Sequence, residues 1–354
     1  MSASTDAGEM NLPLPQNETR TESRHHRSIQ LAVVTASLIW FAAANQIATQ
    51  AARGLAVRLN LSDGYQLLQS IFLLFLLVVG TMFLQSIFSG GTPVRRLIGL
   101  PRRPSSRKEF ATGAAIGWGV VLLAVLPQAF FGALYVRFWI APRSLYLLVL
   151  NLITVAMLAL ASEIGFRGFA FRRLIEALGP AWATVMISLL FGLIGSFSRD
   201  STILSVIAWT IFGVCLCLAW LRTHGLWLGW GLHFAWIASL GILFGLPVNG
   251  IDNLASLVES RAIGRAWLTG GAYGIEAAPW TLIPLAAAIA AVVLVSSDWA
   301  WDYTRKPLVP AGYAMDVPPP AAHTEMERAI PPAPPALVQI LPTTPQSRSV
   351  EPER

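Results

Sequence analysis

The chain has 354 residues, of which 55% are hydrophobic and only 12% charged. A soluble domain is about 25% charged, so this composition excludes an ordinary soluble protein and points to one that lives in a bilayer. The formal net charge is +6, but the basic residues border apolar runs instead of forming one face, which excludes nucleic acid as their partner.

Residues 1–28 read as a polar, disordered tail, with no apolar core for a cleavable signal. Eight apolar segments follow, each about long enough to cross a bilayer: 29–50, 65–90, 111–135, 144–164, 180–197, 202–222, 225–246 and 281–298. These runs are too long for barrel strands, and lipid forces their backbone groups to bond internally. The fold class expected is therefore all-α, a polytopic membrane bundle of about eight transmembrane helices over residues 29–302.

Within the spans, Pro127 predicts a kink in the third. Asn45 and Asn151 predict interhelical hydrogen bonds. Cys215 and Cys217, two residues apart, fall on different helix faces and read as packing residues. A loop at 247–280 holds WLTGGAYGIEA, where Gly270-Gly271 marks a turn. Asn249, Asp252, Glu259 and Glu276 are scattered through that loop without the spacing of a metal site. Residues 303–354 contain twelve prolines and read as a disordered, polyproline-like tail. Trp139, Trp280, Trp299 and Trp301 sit near predicted membrane edges, as an aromatic belt does.

Orientation follows from the basic residues. Arg20, Arg24 and Arg27 precede the first span. Arg95, Arg96, Arg102, Arg103, Arg107 and Lys108 lie between the second and third. Arg167, Arg172 and Arg173 follow the fourth, and Arg222 follows the sixth. With eight spans these all fall on one side, so both termini are expected in the cytoplasm.

The chemistry concentrates in LASEIGFRGFAFRRL, Leu160 to Leu174. Glu163 and Arg167 are four residues apart with the acid first, the order that favours a same-face ion pair. Spacing leaves two readings open: a clasp that holds the helix in register, and a reactive carboxylate, since an ionisable group in a membrane helix is a functional hypothesis by default. His233, in GLWLGWGLHFAWIASLG, is the one histidine inside a predicted span. Hydrogen-bonded structure is the plain reading for it, and a functional ligand the sharper one.

Taken together, GFRGFAFRRL, ISLLFGLIG (Ile187 to Gly195) and LRTHGLWLGWGLHFAWI (Leu221 to Ile237) resemble the CPBP family. These are the CAAX prenyl protease-like, bacteriocin-processing membrane proteins, also called Abi. The loop WLTGGAYGIEA also looks like that of many bacterial members. The resemblance covers about 144–277 by motif. It implies an intramembrane endopeptidase near the cytoplasmic face, in a bacterial cytoplasmic membrane. The family's first motif is two glutamates, three residues, then arginine. Its second is phenylalanine, three residues, then histidine. Its third is histidine, three residues, then asparagine or aspartate. The first glutamate and second-motif histidine are thought to activate water, directly or through a metal, and the third pair to stabilise the oxyanion.

This chain departs at those positions. The first glutamate falls on Ser162, with the second kept as Glu163. The second motif begins at Phe191, and its histidine falls on Gly195. The third keeps His233 but has Ile237 for its partner. Arg167 is kept. Adjacent helical residues point about 100° apart, so Glu163 does not replace a carboxylate at 162. A zinc site needs about three protein ligands, and the set here is incomplete, so no cofactor is expected.

The first expectation is therefore a catalytically impaired or inactive member that binds a membrane partner or peptide in the lipid bilayer, with Glu163, Arg167 and His233 as remnants of the site. The alternative is an active intramembrane peptidase with a rearranged Glu163/His233 site. A small-molecule transporter is a third reading, weakened by the lack of an internal repeat.

Overall fold

The computed structural model describes residues 16–88, 95, 98–252 and 254–296, with side chains from Arg27 onward. The proline-rich tail, Trp299, Trp301 and Arg96 lie outside the described residues. The first helix, α1, runs from Gln16 to Leu59 and so begins ahead of its apolar stretch. It is followed by α2 (Tyr65–Phe88) and α3 (Ser106–Phe130). After a short strand β1 (Leu134–Phe138) comes α4 (Pro142–Glu163), which passes through a π-helical turn (Ile164–Gly168) into α5 (Phe169–Leu178). Helices α6 (Pro180–Gly195), α7 (Ile203–Thr223) and α8 (Trp227–Ile237) complete the motif region. A second π segment (Ala238–Leu243), strand β2 (Val258–Ala262), the short α9 (Ala266–Thr269) and α10 (Leu282–Val295) finish the described chain.

Five helical stretches are long and apolar enough to cross a membrane: Arg27–Leu59, Tyr65–Ile87, Ser106–Phe130, Pro142–Leu178 and Ile203–Thr223. Three shorter apolar helices, Pro180–Gly195, Trp227–Leu243 and Pro279–Val295, fall on the other expected spans. The helix α3 continues through Pro127 for one further turn to Phe130.

The all-helical expectation needs one correction. Strands β1 and β2 pair antiparallel, with Leu134 opposite Ala262 and Phe138 opposite Val258. Leu134 and Tyr135 read as the end of the third apolar run, and the partner strand lies more than a hundred residues away. No local turn links the two, so no hairpin signal exists. Asn151 needs a second correction. Its amide donates not to a helix but to the loop, at Leu254 O (3.2 Å) and Ser256 Oγ (3.0 Å).

Glycines set how close the helices come, as is usual where lipid offers no hydrophobic drive between them. A Cβ at Gly113 would lie 2.0 Å from Leu228 O, one at Gly117 2.5 Å from Leu232 O, and one at Gly231 2.1 Å from Phe110 O. The helices α3 and α8 thus touch backbone to backbone. The same device joins α6 to α7, where a Cβ at Gly192 would lie 2.1 Å from Thr210 Oγ1. These contacts fix the position of α8, which carries His233. Cys215 and Cys217 are buried free thiols, as the packing reading requires.

Candidate functional site

Glu163 ends α4 at the point where the helix widens into its π turn. Such turns occur mostly as single insertions and often at functional sites. Gly165 permits the turn to lie against α1: a Cβ there would fall 2.4 Å from the Phe41 ring. Both charged side chains are buried, Glu163 1% and Arg167 0% exposed. They form the expected i, i+4 pair, Arg167 Nη1 to Glu163 Oε1, at 3.3 Å. The guanidinium also donates from Nη2 to Gly213 O at 3.4 Å, and stands 4.2 Å from the centre of the Phe191 ring. Phe191 is the aromatic that opens the second motif, so that motif's first residue survives as a wall for the arginine.

His233 joins this pair from α8. Its Nδ1 lies 2.8 Å from Glu163 Oε1, so one carboxylate oxygen serves both the arginine and the imidazole. An ionised carboxylate only accepts, which makes Nδ1 the donor and leaves Nε2 as the free ring nitrogen. Phe191, Trp209 and Phe212 surround the imidazole, with ring centres 5.9, 6.5 and 5.4 Å away. The other carboxylate oxygen, Glu163 Oε2, and Arg167 Nε have no hydrogen-bond partner among the described residues. The pair is therefore incompletely satisfied.

A cavity of about 300 Å³ opens beside His233. Its lining includes Ser162, Gly195, His233 and Ile237, the four positions at which the family resemblance places catalytic groups, together with Asn45 and Asn249. Glu163 is absent from the lining, because it is turned toward Arg167. The 100° separation expected between residues 162 and 163 is thus realised: the serine faces the cavity and the glutamate faces the arginine. A larger cavity, about 430 Å³, lies at the β1–β2 ribbon and is lined by residues such as Trp139, Glu259 and Arg261. It holds none of the motif positions, and the smaller one is the candidate site on chemical grounds.

Two residues of the 247–280 loop that the sequence leaves scattered, Asn249 and Glu276, turn out to belong to this site, together with Tyr273. Val248 and Ile251 bond reciprocally, N to O at 2.8 and 2.9 Å, around Asn249 (φ 52) and Gly250 (φ 74). Two positive φ values in an Asn-Gly pair are the mark of a type I′ turn. The dipeptide itself is the signal that could have found it. Trp209 Nε1 donates to Tyr273 Oη at 2.9 Å, and Tyr273 Oη donates to Asn249 Oδ1. Glu276 Oε1 accepts from Trp236 Nε1 (2.8 Å) and Oε2 from the Asn249 N–H (2.6 Å). The turn marked by Gly270-Gly271 is present, with φ 77 and 67.

Burial pushes the Glu276 carboxyl up to about 7, against the lowering influence of its two donors. Its ordinary value is 4.5, so the folded chain holds this proton more tightly than the unfolded one. The stability it contributes is full below about pH 4.5 and is lost as pH rises through about 7. We expect the Tm in nanodiscs to fall across that window by an amount worth up to about 3 kcal/mol, and Glu276→Gln to flatten the slope. An unchanged slope in the variant would refute the assignment.

Among the described residues no three His, Cys, Asp or Glu side chains group as a metal site. A catalytic zinc takes about three protein ligands, more than Glu163 and His233 supply between them.

Fold and site together define an integral membrane protein with a buried carboxylate–arginine–histidine cluster behind an apolar cavity. Residues 142–239 match the family model described as Type II CAAX prenyl endopeptidase Rce1-like. The match runs from α4 to just past α8, and it bears out the resemblance to the CAAX protease-like CPBP family. No curated protein and no solved structure matches the chain.

Proposed function

We propose that this protein is an Rce1-like membrane protein that binds a membrane peptide or partner segment in the His233 cavity and has lost glutamate-dependent hydrolysis. The observation that carries this reading is the division of labour at 162 and 163. The side chain on the cavity is a serine, which is not a general base at neutral pH. The carboxylate next to it is committed to Arg167 and His233. Gly195 supplies no side chain and Ile237 no hydrogen-bond donor to a developing oxyanion, where the loss of a single donor costs ~10²–10³ in rate.

The eight apolar helices support an eight-span arrangement with both termini in the cytoplasm, in a bacterial cytoplasmic membrane. Residues 1–28 are then a polar tail and residues 303–354 a proline-rich one, both on the cytoplasmic side.

Cleavage of prenylated C-terminal peptides by purified protein in lipid tests the reading. The native chain is expected to be silent, and Ser162→Glu/Gly195→His/Ile237→Asn to gain turnover. A Cβ at 195 meets Trp209 Cδ1 at 3.3 Å, so that indole must yield by a few tenths of an ångström. Native activity abolished by Glu163→Ala would overturn the proposal. It would establish the second reading, a rearranged peptidase, which the 2.8 Å Glu163–His233 contact favours.

A further inference from the structure

The lost motif positions leave the cavity without the polar groups that the family resemblance implies, yet the loop delivers one from outside the matched segment. Asn249 lines the cavity, and its Oδ1 lies 3.7 Å from where a Cβ on Gly195 would stand. It thus borders the space a side chain at 195 would enter. Which end of its amide is available follows from the hydrogen-bond chain. An indole N–H only donates, so Trp209 Nε1 gives its proton to the Tyr273 oxygen. The phenol in turn gives its own proton to Asn249. The Asn249 atom facing Tyr273 is therefore the acceptor, Oδ1, and the Nδ2 amino group is the end left to donate. Burial raises the Tyr273 phenol's affinity for its proton, which keeps it a donor. The backbone is pinned as well, because the Asn249 N–H is held by the buried Glu276 and Glu276 by Trp236 of α8.

Resting on the reading of the cavity as a binding site, we infer that Asn249 is its specificity residue, a fixed N–H donor that selects ligands carrying a carbonyl group. His233 complements it. In the neutral imidazole, with Nδ1 donating to Glu163, Nε2 is the acceptor, and His233 lines the same cavity. A donor and an acceptor in a chamber that also holds Asn45 and Ser162 but is walled mainly by apolar side chains such as Phe41, Leu158, Phe166 and Phe191 match a secondary amide with apolar flanks: its C=O takes the Asn249 N–H and its N–H meets His233. An ester offers the first bond and lacks the second.

The test uses N-hexylacetamide carrying a ¹³C carbonyl, with hexyl acetate as the ester match, bound to the full chain in nanodiscs and corrected for partition into lipid. Asn249→Gly keeps the positive φ that the turn needs, and removes the donor. Tyr273→Phe keeps the ring and releases the amide's orientation. The native protein is expected to bind the amide about three- to tenfold more tightly than Asn249→Gly does, with Tyr273→Phe between them. The bound ¹³C=O stretch is expected to lie at lower frequency in the native protein than in Asn249→Gly. The amide is also expected to bind more tightly than the ester. Binding of the probe with affinity and stretch unchanged in Asn249→Gly overturns the role of Asn249 and leaves the cavity reading intact. No saturable binding of either probe overturns both.

Discussion

Replacing Glu163 by leucine is expected to cost about 3–5 kcal/mol of stability, because it strands the Arg167 guanidinium in a site with no access to water. Among the described residues the arginine would keep the Gly213 carbonyl at 3.4 Å, the Cys217 thiol and the rings of Phe191 and Phe166. None of these neutralises its charge. Arg167→Met is expected to cost a similar amount for the mirror reason: it leaves Glu163 buried with only the imidazole beside it, although methionine retains the packing on Phe191. The double substitution removes both charges together. It is expected to be less damaging than either single change, since burying two ions is itself expensive and this pair is far from fully satisfied, with Glu163 Oε2 and Arg167 Nε left over among the described residues. Unfolding of the four proteins in mixed micelles, read as a double-mutant cycle, measures the pair directly. Additive losses would mean that the two charges do not depend on each other. Glu163→Leu also frees the His233 ring, so the carboxylate holds both the helix turn and the imidazole in place.

The second large effect is expected at a residue with no chemistry at all. A methyl group at Gly113 would stand 2.0 Å from Leu228 O and 2.9 Å from Leu232 N. Both obstacles are backbone, so no side-chain rotation relieves them, and α3 must move away from α8. Gly113→Ala is expected to destabilise the protein by about 3 kcal/mol or more. It is also expected to draw α8 off its seat, so that His233 loses its 2.8 Å contact with Glu163 and the amide probe binds more weakly. Gly119→Ala on the same helix is the control, because nothing lies within 4 Å of its added methyl. That change is expected to be neutral or to stabilise by up to about 1 kcal/mol through helix propensity. Tm values of the two variants, measured in the same nanodiscs, separate close packing from a general intolerance of alanine. Equal losses at 113 and 119 would refute the backbone-contact argument.

The two predictions concern different kinds of information in the chain. Local chemistry and periodicity declare themselves in order along the sequence. The apolar runs demand helices wherever lipid supplies no hydrogen bonds. The spacing of Glu163 and Arg167 demands one face. The motif positions at Ser162, Phe191, Gly195, His233 and Ile237 carry the family resemblance before any coordinate is known. Even the turning of Ser162 and Glu163 to different surroundings follows from 3.6 residues per turn.

What sequence could not declare is whatever depends on groups far apart in the chain meeting at one point. Glu163 and His233 are seventy residues apart, and nothing local says that they bond directly. Their contact is decided by how closely α3 and α8 approach, which the glycines permit but do not announce. The β1–β2 ribbon is set by a pairing with no shared turn. Asn249 and Glu276 read as scattered loop polars and Tyr273 goes unmarked within WLTGGAYGIEA, because their meaning lies in partners on α7 and α8: Trp209, Trp236 and the wall of the cavity. The sequence by itself determined the apolar helices, the resemblance to the CAAX protease-like family and the departures from its motifs at Ser162, Gly195 and Ile237. Only the tertiary structure decided that these positions line one cavity, that Glu163 is turned away from it, and that a loop asparagine borders it, because each of these rests on distances between backbones and not on the order of residues.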